Sequence, residues 1–170
     1  MSVDQIVQLI QSAIQFGTVI LFGAMGEILT EKSGNLNLGV PGIMYLGGIA
    51  GLAASFFYEF NNPDPSGFVC LVISLLAAFA ASALGGLLYS FLTITLRANQ
   101  NVTGLTITTF GLGLYFFIGK GLGDRWPVMT SADALVSGFS AREIPLLSSI
   151  PVVGKALFSH NILVYLGILV

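Results

Sequence analysis

Charged residues divide the chain into long apolar runs. None occurs across residues 5–26, 33–58, 65–96 or 98–119, and the intervals hold Glu27, Glu31 and Lys32, then Glu59 and Asp64, then Arg97. A helix needs about 20 apolar residues to cross the hydrocarbon core. Residues 6–29 meet this, and 102–119 just do. Residues 67–96 would reach roughly 45 Å at helical rise, so that span must tilt or protrude. Residues 162–170 are apolar but too few to cross. A helix ending inside lipid leaves carbonyls unsatisfied, so the chain is expected to be the N-terminal part of a longer one. The expected fold is all-α: a polytopic transmembrane helix bundle with four complete spans and a truncated fifth, one domain over residues 1–170.

The second of these spans, residues 36–58, opens irregularly with Asn35-Leu36-Asn37-Leu38-Gly39-Val40-Pro41-Gly42. Pro41 deletes a backbone donor, the flanking glycines loosen the helix, and Asn35 and Asn37 are costly against lipid. Regular helix is expected from about Ile43. Two readings stand. Non-helical backbone at membrane depth survives where protein or water surrounds it, as in the broken helices of transporters. Alternatively, Pro41 starts a helix after an interfacial loop. Periodicity does not separate them.

Composition supports a lipid solvent. Hydrophobic types make up 55% of the chain, charged types 8%, and mean hydropathy is +0.90, against roughly 25% charged residues in a soluble domain. Net charge is −2 with no basic tail or patch, so no nucleic-acid partner is expected. The lone cysteine, Cys70, sits in an apolar run and reads as a packing or lipid-facing residue. No Lys or Arg precedes the first apolar run, so it reads as a retained helix rather than a signal peptide.

With four spans, the short loops holding Lys32 and Arg97 fall on one side, which the positive-inside rule makes cytoplasmic. The longer polar segment 120–160 then lies outside. Its Lys120, Arg125, Arg142 and Lys155, set against Asp124, Asp133 and Glu143, oppose this on a raw count, but a loop of this size can translocate. It also holds Trp126, Pro127, Pro145 and Pro151, and residues 144–154 suit the interface. Small residues four apart, Gly47/Gly51, Ala81/Gly85 and Ser82/Gly86, predict close helix approach, and Gly111 and Gly113 suggest the same in the fourth span.

No catalytic set emerges, and no metal or cofactor site is expected. His160 is the single histidine. Lys120-Gly121 and Lys155-Ala156 lack the Ser or Thr that a phosphate loop needs after its lysine. Asn101-Val102-Thr103 matches a glycosylation sequon but abuts a span on the cytoplasmic side, which favours chance. Thr103, Thr106, Thr108 and Thr109 crowd the fourth span behind Asn99, Gln100 and Asn101. Such hydroxyls mostly bond their own backbone; the functional reading is a polar wall along a pathway. Glu27 is expected to snorkel or to pair near Lys32.

Residues 26–42, with Glu27, Gly34, Asn37-Leu38-Gly39 and Gly42, resemble the signature of the membrane subunits of bacterial ABC importers for branched-chain amino acids, simple sugars and nucleosides. Pro41 departs from that pattern, where glutamate is frequent. Asn99-Gln100-Asn101-Val102-Thr103-Gly104-Leu105 and residues 144–151 add weaker matches, closest to the nucleoside and simple-sugar branch. The resemblance implies a non-enzymatic permease subunit in the bacterial inner membrane, working by alternating access. It implies a second permease subunit, ATP-binding subunits that hydrolyse ATP, and an extracytoplasmic substrate-binding protein as partners. It also places 120–160 outside. Family members continue into a basic cytoplasmic segment that docks on the ATPase, and this chain stops before it. On this reading Asn37, Gly39, Pro41 and Gly42 of the break, with Asn99, Asn101, Thr103 and Thr106, are the candidate pathway residues. The alternatives are a stand-alone secondary transporter or channel, which an ionisable residue deep in a span would favour, and an intramembrane enzyme, for which the polar cluster is missing.

Overall fold

A computed structural model describes residues 2–125, 137, 139–143, 148 and 153–169. Trp126, Pro127, Asp133, Pro145 and Pro151, and with them most of the 144–154 interfacial expectation, lie outside the described residues. The fold is all-α. Among the described residues, four helices are long and apolar enough to cross a membrane: α1 (Val3–Lys32), α2 (Val40–Asn61), α3 (Gly67–Ser90, running on as a π-helical turn Phe91–Thr95) and α4 (Gln100–Arg125). These correspond to the four complete spans expected: α1 and α4 run past the expected bounds at both ends, α2 starts four residues later and runs three further, and α3 with its π turn keeps its bounds to within one residue. Then follow β1 (Arg142–Glu143), α5 (Val153–Phe158), β2 (Ser159–His160) and α6 (Ile162–Leu169). The strands are two residues each and pair antiparallel, Arg142 with His160 and Glu143 with Ser159.

The helix ends follow from local chemistry. Ser2 and Gln5 form a reciprocal capping box at the start of α1: the Ser2 N–H donates to Gln5 Oε1 at 2.9 Å and the Gln5 N–H to Ser2 Oγ at 3.3 Å. At its other end Gly34 takes φ +87°. The Gly34 N–H returns to the Glu31 carbonyl and the Asn35 N–H to the Thr30 carbonyl, a Schellman closure. The α3 end uses a wider version. Arg97 adopts φ 53° and the Ala98 N–H reaches back to the Leu92 carbonyl at 3.0 Å. Helix α2 begins at Val40, not near Ile43, with Pro41 in its first turn, where a missing N–H leaves nothing unsatisfied.

The chain divides into two compact units, one comprising Met1–Met25 with Phe139–Val170, the other Gly26–Gly138. In the first, Gln11 Nε2 donates to the Lys155 carbonyl at 2.7 Å, and Gly167 of α6 admits Thr18 and Phe22 of α1. His160 is fully buried, with Nε2 2.9 Å from the Ala156 carbonyl and its ring edge-on to Tyr165.

In the second unit, α2 packs against α3 and α4. Gly47 and Gly51 receive Ser82 and Ser74 of α3, while Gly85 of α3 receives Ile43 and Leu46. Small residues thus serve van der Waals approach, as they must where lipid supplies no hydrophobic drive between helices. Gly86 and Gly113 face open space; Gly111 does not. The outer surface of α3 carries Leu76, Phe79, Leu84 and Leu87, all largely exposed and free of polar atoms, as a lipid-facing surface requires. Cys70 is 0% exposed, its Sγ 3.6 Å from Glu59 Oε1. It is therefore expected to resist maleimide until denaturant is added, and mass spectrometry of labelled membranes checks this; rapid modification of the native protein would contradict the packing.

Candidate functional site

The non-helical stretch between α1 and α2 is where backbone groups most need partners, and side chains from three helices supply them. From α1, Glu27 Oε1 accepts the Asn37 N–H at 2.9 Å. From α3, the Tyr89 hydroxyl donates to the Leu36 carbonyl at 2.7 Å. From α4, Gln100 Oε1 accepts the Leu36 N–H at 2.9 Å, and the Thr108 hydroxyl donates to the Leu38 carbonyl at 2.7 Å. Asn37 closes the segment on itself, its Oδ1 accepting the Gly39 N–H at 2.9 Å while the side chain is buried. The segment is thus a clasp, its polar backbone satisfied by protein, the condition for irregular chain at membrane depth.

Glycines bring the clasp against α4. A Cβ at Gly104 would stand 2.8 Å from the Leu38 nitrogen, and one at Gly39 would stand 3.4 Å from Gly104 Cα. One at Gly42 would meet the Ile107 carbonyl oxygen and lie 2.5 Å from Thr108 Cα, and one at Gly111 would meet the Gly42 carbonyl. Backbone lies on backbone along this seam, which only glycine permits.

The candidate residues divide accordingly. Asn37, Gly39 and Gly42 sit together in the clasp and seam, while Pro41 is exposed on the first turn of α2. Asn99 caps α4, its Oδ1 accepting the Asn101 and Val102 N–H groups at 3.0 and 3.1 Å. Thr103 is buried; Asn101 and Thr106 are exposed. Among the described residues, none of these four side chains bonds to the clasp. An open groove of about 530 Å³ runs along α4, lined by Val102, Leu105, Thr106, Thr109 and Phe110. The Thr106 and Thr109 hydroxyls turn back to the Val102 and Leu105 carbonyls, which blunts the polarity of that wall.

Glu27 departs from expectation. Among the described residues its carboxylate makes no ion pair with Lys32; Oε1 holds a backbone N–H ten residues on, and Oε2 accepts the Thr30 hydroxyl at 3.3 Å. Tyr89, Gln100 and Thr108 were not singled out for this role. The one sequence signal for Tyr89 was a phenol within an otherwise apolar run, whose hydroxyl needs a partner there.

Residues 9–168 match the family model described as branched-chain amino acid transport system / permease component. The chain is similar to the guanosine ABC transporter permease protein of Bacillus subtilis, 32% identical over 160 residues, covering 94% of this chain and 48% of the relative. It is similar to a putative glucose ABC transporter permease of Haloferax volcanii, 28% identical, covering 95% and 44%. It is also similar to the nucleoside ABC transporter permease of Lactococcus lactis, 26% identical, covering 90% and 45%. The chain spans about half the length of these curated relatives. No solved structure matches it. A family match over nearly the whole chain, on four apolar helices, makes this a multi-pass membrane protein that belongs to the branched-chain amino acid transport system permease family.

Proposed function

We propose that the chain forms the membrane-spanning part of the permease of an ATP-driven importer, carrying nucleosides or related small polar solutes by alternating access. The clasp is the observation that carries it. A break held by side chains of three helices is a rigid insert, which lets packed helices rock as one block while the backbone around a pathway stays satisfied. Relatives named for guanosine and nucleoside transport support the solute class. On this reading ATP hydrolysis belongs to partner ATP-binding subunits, a second permease subunit completes the pathway, and an extracytoplasmic binding protein delivers the solute. The 120–160 segment faces outward. Asn37, Gly39 and Gly42 shape the pathway by bracing it, Pro41, Asn99, Asn101 and Thr106 form its cytoplasmic approach, and buried Thr103 backs that approach.

The test is uptake of a radiolabelled purine nucleoside by the complete transporter in proteoliposomes. Uptake is expected to require ATP and the binding protein, and to ignore an imposed proton gradient. Uptake driven by a proton or sodium gradient without ATP would replace the importer with a secondary transporter.

A further inference from the structure

Three of the five tyrosines are accounted for by position or bonding. Tyr89 donates to Leu36, the Tyr165 hydroxyl accepts the His160 N–H, and Tyr58 lies in the last turn of α2. Tyr45 and Tyr115 are different. Their rings meet between α2 and α4, centroids 5.3 Å apart and planes at 47°, and they remain 38% and 39% exposed. Among the described residues neither hydroxyl has a hydrogen-bond partner.

Their depth makes this informative. Membrane tyrosines concentrate at the two interfaces, where the hydroxyl finds water. Tyr115 lies inside α4, about 8 Å short of Lys120 and about 22 Å beyond Gln100 at helical rise, and Tyr45 lies about 8 Å past Val40, where α2 starts beyond the clasp, and about 24 Å short of Asn61. A phenol hydroxyl facing hydrocarbon there would go unpaired, at a cost, so this face meets water. Its neighbours agree. Pro41, Tyr45 and Gly48 form one exposed stripe of α2, with open space at Gly48. No such polar atoms occur on the lipid-facing Leu76, Phe79, Leu84 and Leu87 of α3.

We propose that Tyr45 and Tyr115 form an aromatic platform on the wall of the translocation pathway, against which the base of the transported nucleoside stacks. Aromatic side chains stack on any base through its π-face, which suits a site that must release its cargo. The proposal rests on the importer reading above.

Purine nucleoside uptake by the complete transporter tests it. Tyr45→Leu and Tyr115→Leu are each expected to raise KM by about tenfold, the lower end of what one base–aromatic stack supplies, while Tyr45→Phe and Tyr115→Phe keep most of the affinity. A purely structural role of the paired rings would lower the amount of assembled transporter and leave KM unchanged. In the same assembly, Tyr45→Cys and Tyr115→Cys are expected to react with a membrane-impermeant methanethiosulfonate and to be protected by the nucleoside; buried Cys70 leaves the background silent. This second readout serves if a leucine variant fails to assemble. Wild-type uptake with unchanged KM in both leucine variants, or cysteines modified only by lipid-soluble reagents, overturns the platform alone. Absence of any wild-type uptake removes the importer reading and the platform with it.

Discussion

Replacing Gly42 with valine is expected to abolish accumulation of folded protein, and Gly42→Ala alone should cost about 3 kcal/mol, the upper part of the overpacking range. The reason is what the new Cβ meets. It would collide with the Ile107 carbonyl and stand 2.5 Å from Thr108 Cα, and the converse Cβ at Gly111 would meet the Gly42 carbonyl and lie 2.8 Å from Gly42 Cα. Neither side of such a contact can rotate away, because both are backbone in regular helix. The helices must part, and parting them breaks the Thr108 bond to the Leu38 carbonyl, which needs the same approach. Gly113→Ala is the control: it lies on the partner helix α4, two residues from Gly111, with nothing within 4 Å, so it should stay within about 1 kcal/mol of wild type or gain from better helix propensity. Thermal unfolding in mild detergent, followed by fluorescence size exclusion, separates the two. Equal stability for Gly42→Ala and Gly113→Ala would mean that α2 and α4 do not meet along this seam.

Much of this architecture was legible from residue type alone, because lipid punishes exceptions. Charge-free runs marked the four spans, and Gly47, Gly51 and Ser82 marked α2 and α3 as closely packed helices, though not as each other's partners. The helix start at Val40 was missed by three residues, since Pro41 is as compatible with a first turn as with a break. What sequence could not convey was pairing at a distance. Thr106, Thr108 and Thr109 are chemically identical and sit within four positions. Two bond their own turn and one bonds the Leu38 carbonyl seventy residues away, a choice made only when Gly104 and Gly111 let the clasp in. Gly111 and Gly113 looked alike for the same reason.

The same distance problem hid Glu27, whose substitution is the second large effect expected. Its carboxylate is the acceptor for the Asn37 N–H, and Asn37 in turn accepts the Gly39 N–H, so one side chain anchors the turn that starts α2. Glu27→Ala leaves that buried donor without a partner. An unsatisfied group of this kind costs about 1–3 kcal/mol, more than the hydrogen bond itself contributed, so the loss should fall near about 2 kcal/mol. Glu27→Gln keeps an amide oxygen at the same reach and loses only the charge assistance, roughly half the strength of the bond; it should recover most of the stability. Tyr89→Phe removes the clamp on the neighbouring Leu36 carbonyl, so Glu27→Ala and Tyr89→Phe act on one segment and should combine non-additively. Thermal unfolding gives the magnitudes. Hydrogen exchange locates them: peptides covering residues 35–40 should lose protection in Glu27→Ala while those covering the Gly47–Ser82 contact keep theirs. If Glu27→Gln proves as damaging as Glu27→Ala, the charge is needed for something beyond holding the Asn37 amide, and the clasp would have to be more than a structural brace.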